Sequence, residues 1–282
     1  MSTFRPRTPN VPERFGYGSW RLPLIFSMKI YSDYTEEQKE RIYEQTESRI
    51  RKDPFVVLDL DSDSNTPLFH VVDVRMAKLI LLLPSQLCDH DSLKPENLVK
   101  SRNDKQQTPL FYWCIKYLEI VELLCSFGAD LKNKDSEGNS LLHKCIKYPE
   151  VFKFLHSKGA DILAKDSKGN TPLHLACLNA CASLVNYISH KVESSVLNIQ
   201  NNKGETPMIL TVKPQIRYDN NVDDLNILIE GKGKENEYKD RLEIVQILRH
   251  GTDINMKDSR GRTAYIHAMY NGYHEITEAL VP

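Results

Sequence analysis

Two histidines, His143 and His174, are the first residues of the sequence that could do chemistry. A histidine acts as a general base when a nucleophile and an orienting carboxylate lie beside it. Here each histidine instead follows a Ser or Thr by three residues, in Ser140-Leu-Leu-His143 and Thr171-Pro-Leu-His174. A position that repeats along the chain favours a structural imidazole, hydrogen-bonded between neighbouring segments. No Ser-His-Asp or Cys-His grouping stands out, so we predict that the chain is not an enzyme.

The cysteines are the second group with chemical potential. Six cysteines in 282 residues are too few for a disulfide framework and indicate a reducing compartment. Cys177 and Cys181 are four residues apart, a spacing that suits a metal or a redox pair. Because free cysteines are also small buried residues, the pattern favours core packing. Cys88 and His90 resemble zinc ligands, but two side chains do not complete a site, and we predict no metal.

Composition and charge exclude several other classes of function. The sequence Gly231-Lys-Gly233 lacks the third glycine of a nucleotide-binding loop, so we predict no cofactor. The 37 Lys and Arg residues nearly balance 38 Asp and Glu residues, which argues against a globally basic nucleic-acid binder. The best candidate for a membrane span, residues 79–83, ends at Pro84, far short of the roughly 18 apolar residues required. We therefore predict a cytoplasmic protein with no membrane segment.

One phrase recurs along the chain and indicates how these residues are positioned. An Asp or Asn, which we call the anchor, is followed five residues later by Thr or Ser and then usually by Pro-Leu or a variant. The anchors are Asp61, Asn103, Asp135, Asp166, Asn201 and Asp258. Their spacings are 42, 32, 31, 35 and 57 residues. Three of these lie close to a 33-residue period, and the other two require insertions.

These phrases resemble the ankyrin-repeat family over residues 59–282. The resemblance implies an all-α solenoid of about six repeats that start near residues 61, 103, 135, 166, 201 and 258. Each Thr or Ser can cap a first helix, and a following Pro suits its first turn. Glycines in the turn before the first helix and after the second helix are expected to adopt positive φ. These glycines are Gly138, Gly169, Gly204 and Gly261 before the first helix, and Gly128, Gly159 and Gly251 after the second.

The insertions and the two ends depart from the repeat. We expect a surface excursion near residues 84–99, and an insertion near residues 215–239 in which residues 231–237 form a flexible loop. Residues 1–58 are predicted to be an extended arm and a helix that covers the first repeat, starting at a capping box of Thr35 and Gln38. The sequence stops inside a second helix without a polar capping repeat, so we expect the intact protein to continue beyond residue 282.

The resemblance also implies where a partner binds. Ankyrin-type solenoids use a concave face built from the hairpin tips and the exposed side of the first helices. In this sequence those positions lie four, three and one residues before each Thr or Ser, and seven and eight residues after it. The predicted contact residues are Lys105, Gln107, Lys116, Glu137, Asn139, Lys147, Tyr148, Lys168, Asn170, Asn179, Lys203, Glu205, Arg260, Arg262 and Tyr270.

The charge of this surface predicts the class of partner. Its 25 positions in the last five repeats hold eight basic and three acidic residues, although the whole chain has a net charge of −1. The pattern favours a protein partner with an acidic segment, with Tyr148 and Tyr270 as aromatic contacts. The alternative is that these are ordinary solvated residues. A nucleic acid is less favoured, because acidic residues are mixed in and no stacking series of aromatics accompanies the lysines.

Two functions remain open at this point. The first is a non-catalytic protein-interaction module. The second is the recruiting or targeting arm of a larger enzyme, or of a bacterial effector delivered into a host cell, whose catalytic domain lies outside this chain. The segment around Asn255 also resembles asparagine segments that are hydroxylated in some ankyrin repeats, which would make Asn255 a modified residue. The oligomeric state is not indicated by the sequence.

Overall fold

The computed structural model of the chain describes residues 35–71, 73–115, 117–213 and 231–281. The extended arm, predicted over residues 1–30, and the predicted contact residue Lys116 lie outside these ranges. The described residues form an all-α structure. Its α-helices are α1 (Glu36–Lys52), α2 (Val74–Leu87), α3 (Pro95–Leu98), α4 (Pro109–Trp113), α5 (Leu118–Ser126), α6 (Leu141–Lys144), α7 (Pro149–Ser157), α8 (Pro172–Leu178), α9 (Ala182–Ser189), α10 (Pro207–Thr211), α11 (Gly231–Arg249), α12 (Ala264–Tyr270) and α13 (His274–Ala279). Short 3-10 helices span Pro54–Leu58, Pro67–Phe69, Asp91–Leu93 and Ser194–Asn198.

Each anchor begins a hairpin turn that leads into a first helix. In the fourth unit, Asp166 Oδ1 accepts the amide N–H groups of Lys168 and Asn170, both at 2.8 Å. The backbone closes the same turn, because the Asp166 amide donates to the Asn170 carbonyl at 2.9 Å. Equivalent bonds form at all six anchors, including the asparagines Asn103 and Asn201. The side chain of the recurring Asp or Asn therefore holds every hairpin turn in shape by accepting two of its backbone amides.

The turn residue three places after each anchor has positive φ. The four glycines predicted at this position have φ between 70° and 78°, as expected. The first two units have Ser64 and Gln106 there, at φ 60° and 59°, so the left-handed turn forms without glycine. Gly128 and Gly159 also have the positive φ predicted after the second helix. The prediction was wrong for Gly251, where an added Cβ would lie 2.8 Å from Leu197 Cδ1, so glycine here provides room for a neighbour.

Neighbouring hairpins are bonded to one another along the whole described structure. The residue after each anchor donates its amide to the carbonyl two places after the previous anchor. The five bonds are Asp104 to Asp63 (3.1 Å), Ser136 to Lys105 (3.1 Å), Ser167 to Glu137 (3.2 Å), Asn202 to Lys168 (3.0 Å) and Ser259 to Lys203 (2.9 Å). The bonds across the 42- and 57-residue spacings match the others, so both insertions leave the hairpin stack intact.

One continuous hydrophobic cluster runs through the stacked helices. It extends from Ile50 of α1 to Leu280, directly after α13, and both side chains are essentially inaccessible to solvent. No single unit could bury its apolar faces alone, and the stacking of first helices on first helices and second helices on second helices removes them from water. The fold is the all-α solenoid that the sequence predicted.

The capping helix α1 begins with the predicted capping box. The Gln38 amide donates to Thr35 Oγ1 at 3.3 Å, and the Thr35 amide donates to Gln38 Oε1 at 2.8 Å. The helix packs on α2, where Arg75 forms two bonds of 2.6 and 2.9 Å to Glu40 and lies 3.6 Å from the Tyr43 ring centroid. The first unit thus has a helical neighbour on its outer side.

Two predictions about the insertions were wrong. Residues 84–99 are not a simple surface excursion, because α2 continues through Pro84 and the apolar side chains of Leu93, Leu98 and Val99 are buried in the core. Residues 231–237 are not a flexible loop, because α11 begins at Gly231 and runs to Arg249. Residues 214–230 lie outside the described residues.

Candidate protein-interaction surface

The two histidines of the repeated phrase link adjacent units. The Thr171 amide donates to His174 Nδ1 at 3.1 Å, so the ring proton lies on Nε2, which donates to the Glu205 carbonyl at 3.1 Å. His143 Nε2 donates in the same way to the Asn170 carbonyl at 2.9 Å. Burial lowers the pKa of both imidazoles, that of His174 to about 4, and so keeps them neutral. The structural role predicted for these histidines is confirmed.

The contact residues one place before each Thr or Ser turn towards the stack. Asn170 and Glu205 are buried, at 7% exposure each. The fifth anchor, Asn201, donates to Asn170 Oδ1 of the preceding hairpin at 2.8 Å and to Glu205 Oε2 of its own hairpin at 2.9 Å. Glu205 also forms an ion pair with Lys213. The Asn170 side chain therefore joins two hairpins and the Glu205 side chain is bound within its own unit, so both are unavailable to a partner and their inclusion in the contact surface was wrong.

Other predicted contact residues are engaged within the protein. Arg262 lies in the same register and pairs with its own anchor Asp258 at 3.2 Å. Gln107 and Asn139 are half-buried, and each hydrogen-bonds to the side chain of its own anchor. Asn179 donates to the Leu175 carbonyl at 2.8 Å, at the end of α8. These side chains stabilise hairpins and a helix end. At most, their remaining exposed atoms lie at the edge of the contact surface.

The residues two places after the anchors remain exposed. Four of them are basic, and we call these four the tip row: Lys105, Lys168, Lys203 and Arg260. Within the described residues, none of the four side chains forms an ion pair. The third unit has the exposed acidic residue Glu137 at this position, and the first unit has Asp63. The tip row is thus a set of cations on hydrogen-bonded hairpins that have no ion-pair partner among the residues the structure describes.

Three further predicted contact residues lie at or beyond the ends of first helices. Tyr270, the last residue of α12, is 81% exposed, more than any other large hydrophobic residue of the described chain. Lys147 and Tyr148 are exposed, but α6 is short and Tyr148 is already the N-cap residue of the second helix α7. The corresponding N-cap residue of α5 is Tyr117, which is 50% exposed. Counting from Ser140 therefore placed Lys147 and Tyr148 on a first helix, although they lie in the connection between helices.

Comparison with known proteins agrees with this geometry. A family model of three ankyrin-repeat copies matches residues 76–166, and a model of many copies matches residues 149–210. This is an ankyrin-repeat protein. No significant match to the chain is found among curated proteins. Ankyrin repeats are generally protein–protein interaction modules, and ankyrin domains are typically non-catalytic.

A second basic row of the ankyrin stack was missed in the sequence analysis. It consists of the exposed residues directly before four anchors: Arg102, Lys134, Lys165 and Lys257. Lys134 Nζ donates to the Lys165 carbonyl at 2.7 Å, and Gln200, directly before the fifth anchor, donates through Nε2 to the Lys257 carbonyl at 2.8 Å. The signal was visible as a basic residue preceding four of the six anchors. It escaped notice because positions were counted only after the anchor.

The thiols of the ankyrin core are unsuited to nucleophilic chemistry. Cys177 is completely buried, and burial raises the pKa of its thiol to about 12. Burial raises the pKa of Cys181 as well, and this side chain packs partly against the core. The core-packing prediction is confirmed for Cys177. A thiol with a raised pKa is protonated at neutral pH and is a poor nucleophile.

The resemblance of Cys88 and His90 to zinc ligands has a structural explanation. His90 Nδ1 lies 2.8 Å from Ser92 Oγ and accepts from the Ser92 amide, which caps the 3-10 helix Asp91–Leu93. The His90 ring also contacts the edge of Phe55, with centroids 5.4 Å apart. The described residues contain no cluster of three or more potential metal ligands. Likewise, none of the described helices is both long and apolar enough to span a bilayer.

A buried arginine, also missed, ties two ankyrin units together. Arg241 of α11 is 1% exposed, and its guanidinium donates to the carbonyls of Leu178 at 3.3 Å and of Thr211. These carbonyls lie at the ends of α8 and α10, so one side chain caps two first helices. Glu237 balances the charge at 2.7 Å. The sequence signal was weak: Arg241 lies four and seven residues before the buried Val245 and Leu248, which marks an inward helix position.

The segment considered for hydroxylation is accessible. Asn255 is exposed in the loop after α11, and its amide donates to Asp253 Oδ1 at 2.9 Å. The equivalent residue of the fourth unit, Asn198, accepts the Asp253 amide at 2.8 Å through its side chain. Asn198 is thus part of an inter-unit contact, whereas the Asn255 side chain is open to solvent. Modification of Asn255 stays a prediction.

Proposed function

We propose that this protein acts by binding and that the tip row holds an acidic segment of a partner protein. The observation that carries the proposal is the set of four exposed cations without ion pairs among the described residues. Two other basic contact residues, Lys213 and Arg262, are neutralised by Glu205 and Asp258. Among the described basic residues of the predicted contact surface, the four tip-row residues and Lys147 therefore remain available to a partner.

The hairpins hold these cations in fixed positions. Each tip residue donates its own amide to its anchor, at 2.8–3.0 Å, and the carbonyls of Lys105, Lys168 and Lys203 accept from the following hairpin. A preorganised surface loses less conformational entropy on binding than a flexible one. Complementary charge then raises the association rate and suppresses partners of the wrong sign.

An apolar contact at the sixth unit would add affinity. Tyr270 is 81% exposed and its neighbour Met269 is 56% exposed, both in the unit that contributes Arg260. Tyrosine is enriched among interface residues that dominate binding energy, because it buries a large ring at low entropic cost. The protein therefore offers both charge and an aromatic side chain at one end of the stack.

Affinity capture with charge-reversed variants tests this function. The first variant changes all four tip-row residues to Glu, and the matched control changes the exposed cations Lys78, Lys158, Lys191 and Arg249 to Glu. Both variants have the same net charge, and the control residues lie in second helices or within two residues of their ends. We expect partner proteins retained by the original and by the control to be lost by the tip-row variant. Bound proteins are identified by mass spectrometry, and circular dichroism confirms the helix content of each variant.

The control distinguishes binding by the tip row from an effect of the net charge of the protein. If both variants lose the same partner, net charge alone governs binding and the tip row has no special role. If both retain it, the contact lies elsewhere on the molecule and the proposal is wrong. Raising the salt concentration should weaken capture by the original protein, because exposed charges are screened over about 8 Å at physiological ionic strength.

A further inference from the structure

The hairpin tips of the last five units follow one another by equivalent steps. Adjacent hairpins are joined by one backbone hydrogen bond per step, and each hairpin contributes two chain segments to the stack. Hydrogen-bonded extended segments lie about 4.8 Å apart, so we expect equivalent residues of neighbouring hairpins to repeat at about 10 Å. A polyproline II segment rises about 3.1 Å per residue and presents every third side chain on the same side, whereas the side chains of a β-strand alternate. Every third residue of a peptide in the polyproline II conformation therefore matches one tip.

The hairpin tips of the last five units carry charges of both signs in a definite order. From the second unit to the sixth, the exposed residues are Lys105, Glu137, Lys168, Lys203 and Arg260. The continuity of this order was hidden in the sequence, where Lys203 and Arg260 are 57 residues apart. The bond from the Ser259 amide to the Lys203 carbonyl, at 2.9 Å, brings these two tips into neighbouring positions.

We propose that the partner presents a segment in the polyproline II conformation whose charged residues occur at every third position, in the order acidic, basic, acidic, acidic, acidic along the second to sixth units. This inference rests on the proposed function and adds a recognition pattern to it. Glu137 becomes a specificity determinant, because it disfavours an uninterrupted acidic segment and favours one with a basic residue opposite the third unit.

Fluorescence anisotropy with labelled peptides tests the pattern. The matched peptide has five charged residues at every third position, with lysine second and glutamate at the other four, and serine or glycine between them. A control peptide of the same composition has the five charged residues clustered. Both peptides are made in both chain directions. We expect the full chain to bind one direction of the matched peptide about tenfold more tightly than the clustered one, and less tightly as salt rises.

A charge exchange at the third unit isolates the specificity determinant. Glu137→Lys should weaken binding of the matched peptide and strengthen binding of a peptide with glutamate at all five positions. The same two peptides against Glu122→Lys, an exposed residue of the second helix α5, serve as the control and should show no reversal. Absence of reversal in Glu137→Lys would overturn the assigned register.

The remaining outcomes separate this inference from the proposed function. Equal binding of the matched and clustered peptides would overturn the proposed three-residue spacing but would leave the tip row as a surface that binds acidic peptides. If no peptide binds while the tip-row variant still loses its captured partner, the pattern is wrong and the interaction surface stands. If no peptide binds and capture is unaffected, both fall. Tighter binding of a thymidine oligonucleotide than of any peptide would assign the row to nucleic acid instead.

Discussion

At the scale of single residues, His174 is held in one protonation state by its surroundings. Its Nδ1 accepts the Thr171 amide and its Nε2 donates to the Glu205 carbonyl, so both ring nitrogens are used. A second ring proton on Nδ1 would face an N–H donor. Burial adds a further cost to the charged form, and together these effects lower the pKa to about 4.

Stability should therefore fall as the solution is acidified. Unfolded histidine binds a proton near pH 6.5, whereas folded His174 binds one only near pH 4, so the unfolded state gains protons first as the pH drops. Between pH 7 and pH 4 this single residue should remove about 3 kcal/mol from the free energy of unfolding. Urea unfolding across this range should show the curves of the wild type and of His174→Gln converging at low pH.

The exposed His190 provides the matched control, since its ring hydrogen-bonds to the Asn186 carbonyl of the adjoining helix α9 and not to another unit among the described residues. His190→Gln should follow the wild-type curve throughout. Parallel curves for wild type and His174→Gln would contradict the assignment of a neutral imidazole that is hydrogen-bonded at both ring nitrogens.

At the scale of the structural element, hairpins differ in how closely the next unit approaches them. Gly169 and Gly261 share nearly the same φ, 78° and 75°. A Cβ at Gly169 would lie 2.4 Å from Asn202 Oδ1 and 2.9 Å from the Asn202 amide nitrogen, whereas a Cβ at Gly261 meets nothing within 4 Å. The pair therefore separates backbone strain from inter-unit contact.

We expect Gly261→Ala to cost about 1 kcal/mol, the strain of a left-handed non-glycine residue. Gly169→Ala should cost about 3 kcal/mol, because the following hairpin must also move away. Urea unfolding of each variant and of the wild type measures both differences in the free energy of unfolding. Equal costs would show that the stack adapts freely to the extra methyl group, and that the close approach at Asn202 is not a constraint.

Local structure could be predicted from the sequence where its causes are local. The hydrogen bonds of the anchor side chain involve residues two and four places apart, so an Asp or Asn in the repeated phrase was sufficient to indicate the hairpin. The inward direction of Asn170 depends on Asn201 of the next hairpin, which the phrase of Asn170 does not contain. Likewise, the burial of Leu93 and Leu98 depends on the hydrophobic core against which the insertion of residues 84–99 packs.

At the scale of the whole molecule, each unit contacts mainly its neighbours, so a local defect should stay local. Arg241 is suited to test this, because it joins the second helix of the fifth unit to the ends of α8 and α10. Its loss leaves two carbonyls without their donor, a cost of about 2 kcal/mol or more for buried groups. The first unit and its covering helix α1 lie three units away from this joint.

Hydrogen–deuterium exchange of Arg241→Met, read by mass spectrometry, should show where this loss is felt. We expect faster exchange in peptides covering α8, α10 and α11, with α1 and α2 unchanged, since opening the fourth and fifth units does not require separating the first pair of helices. Arg249→Met, the same substitution at an exposed position of the same helix, should leave all of these peptides unchanged. If α1 and α2 also exchange faster in Arg241→Met, the solenoid opens as one cooperative body, and its rigidity at the hairpin tips is a property of the entire stack.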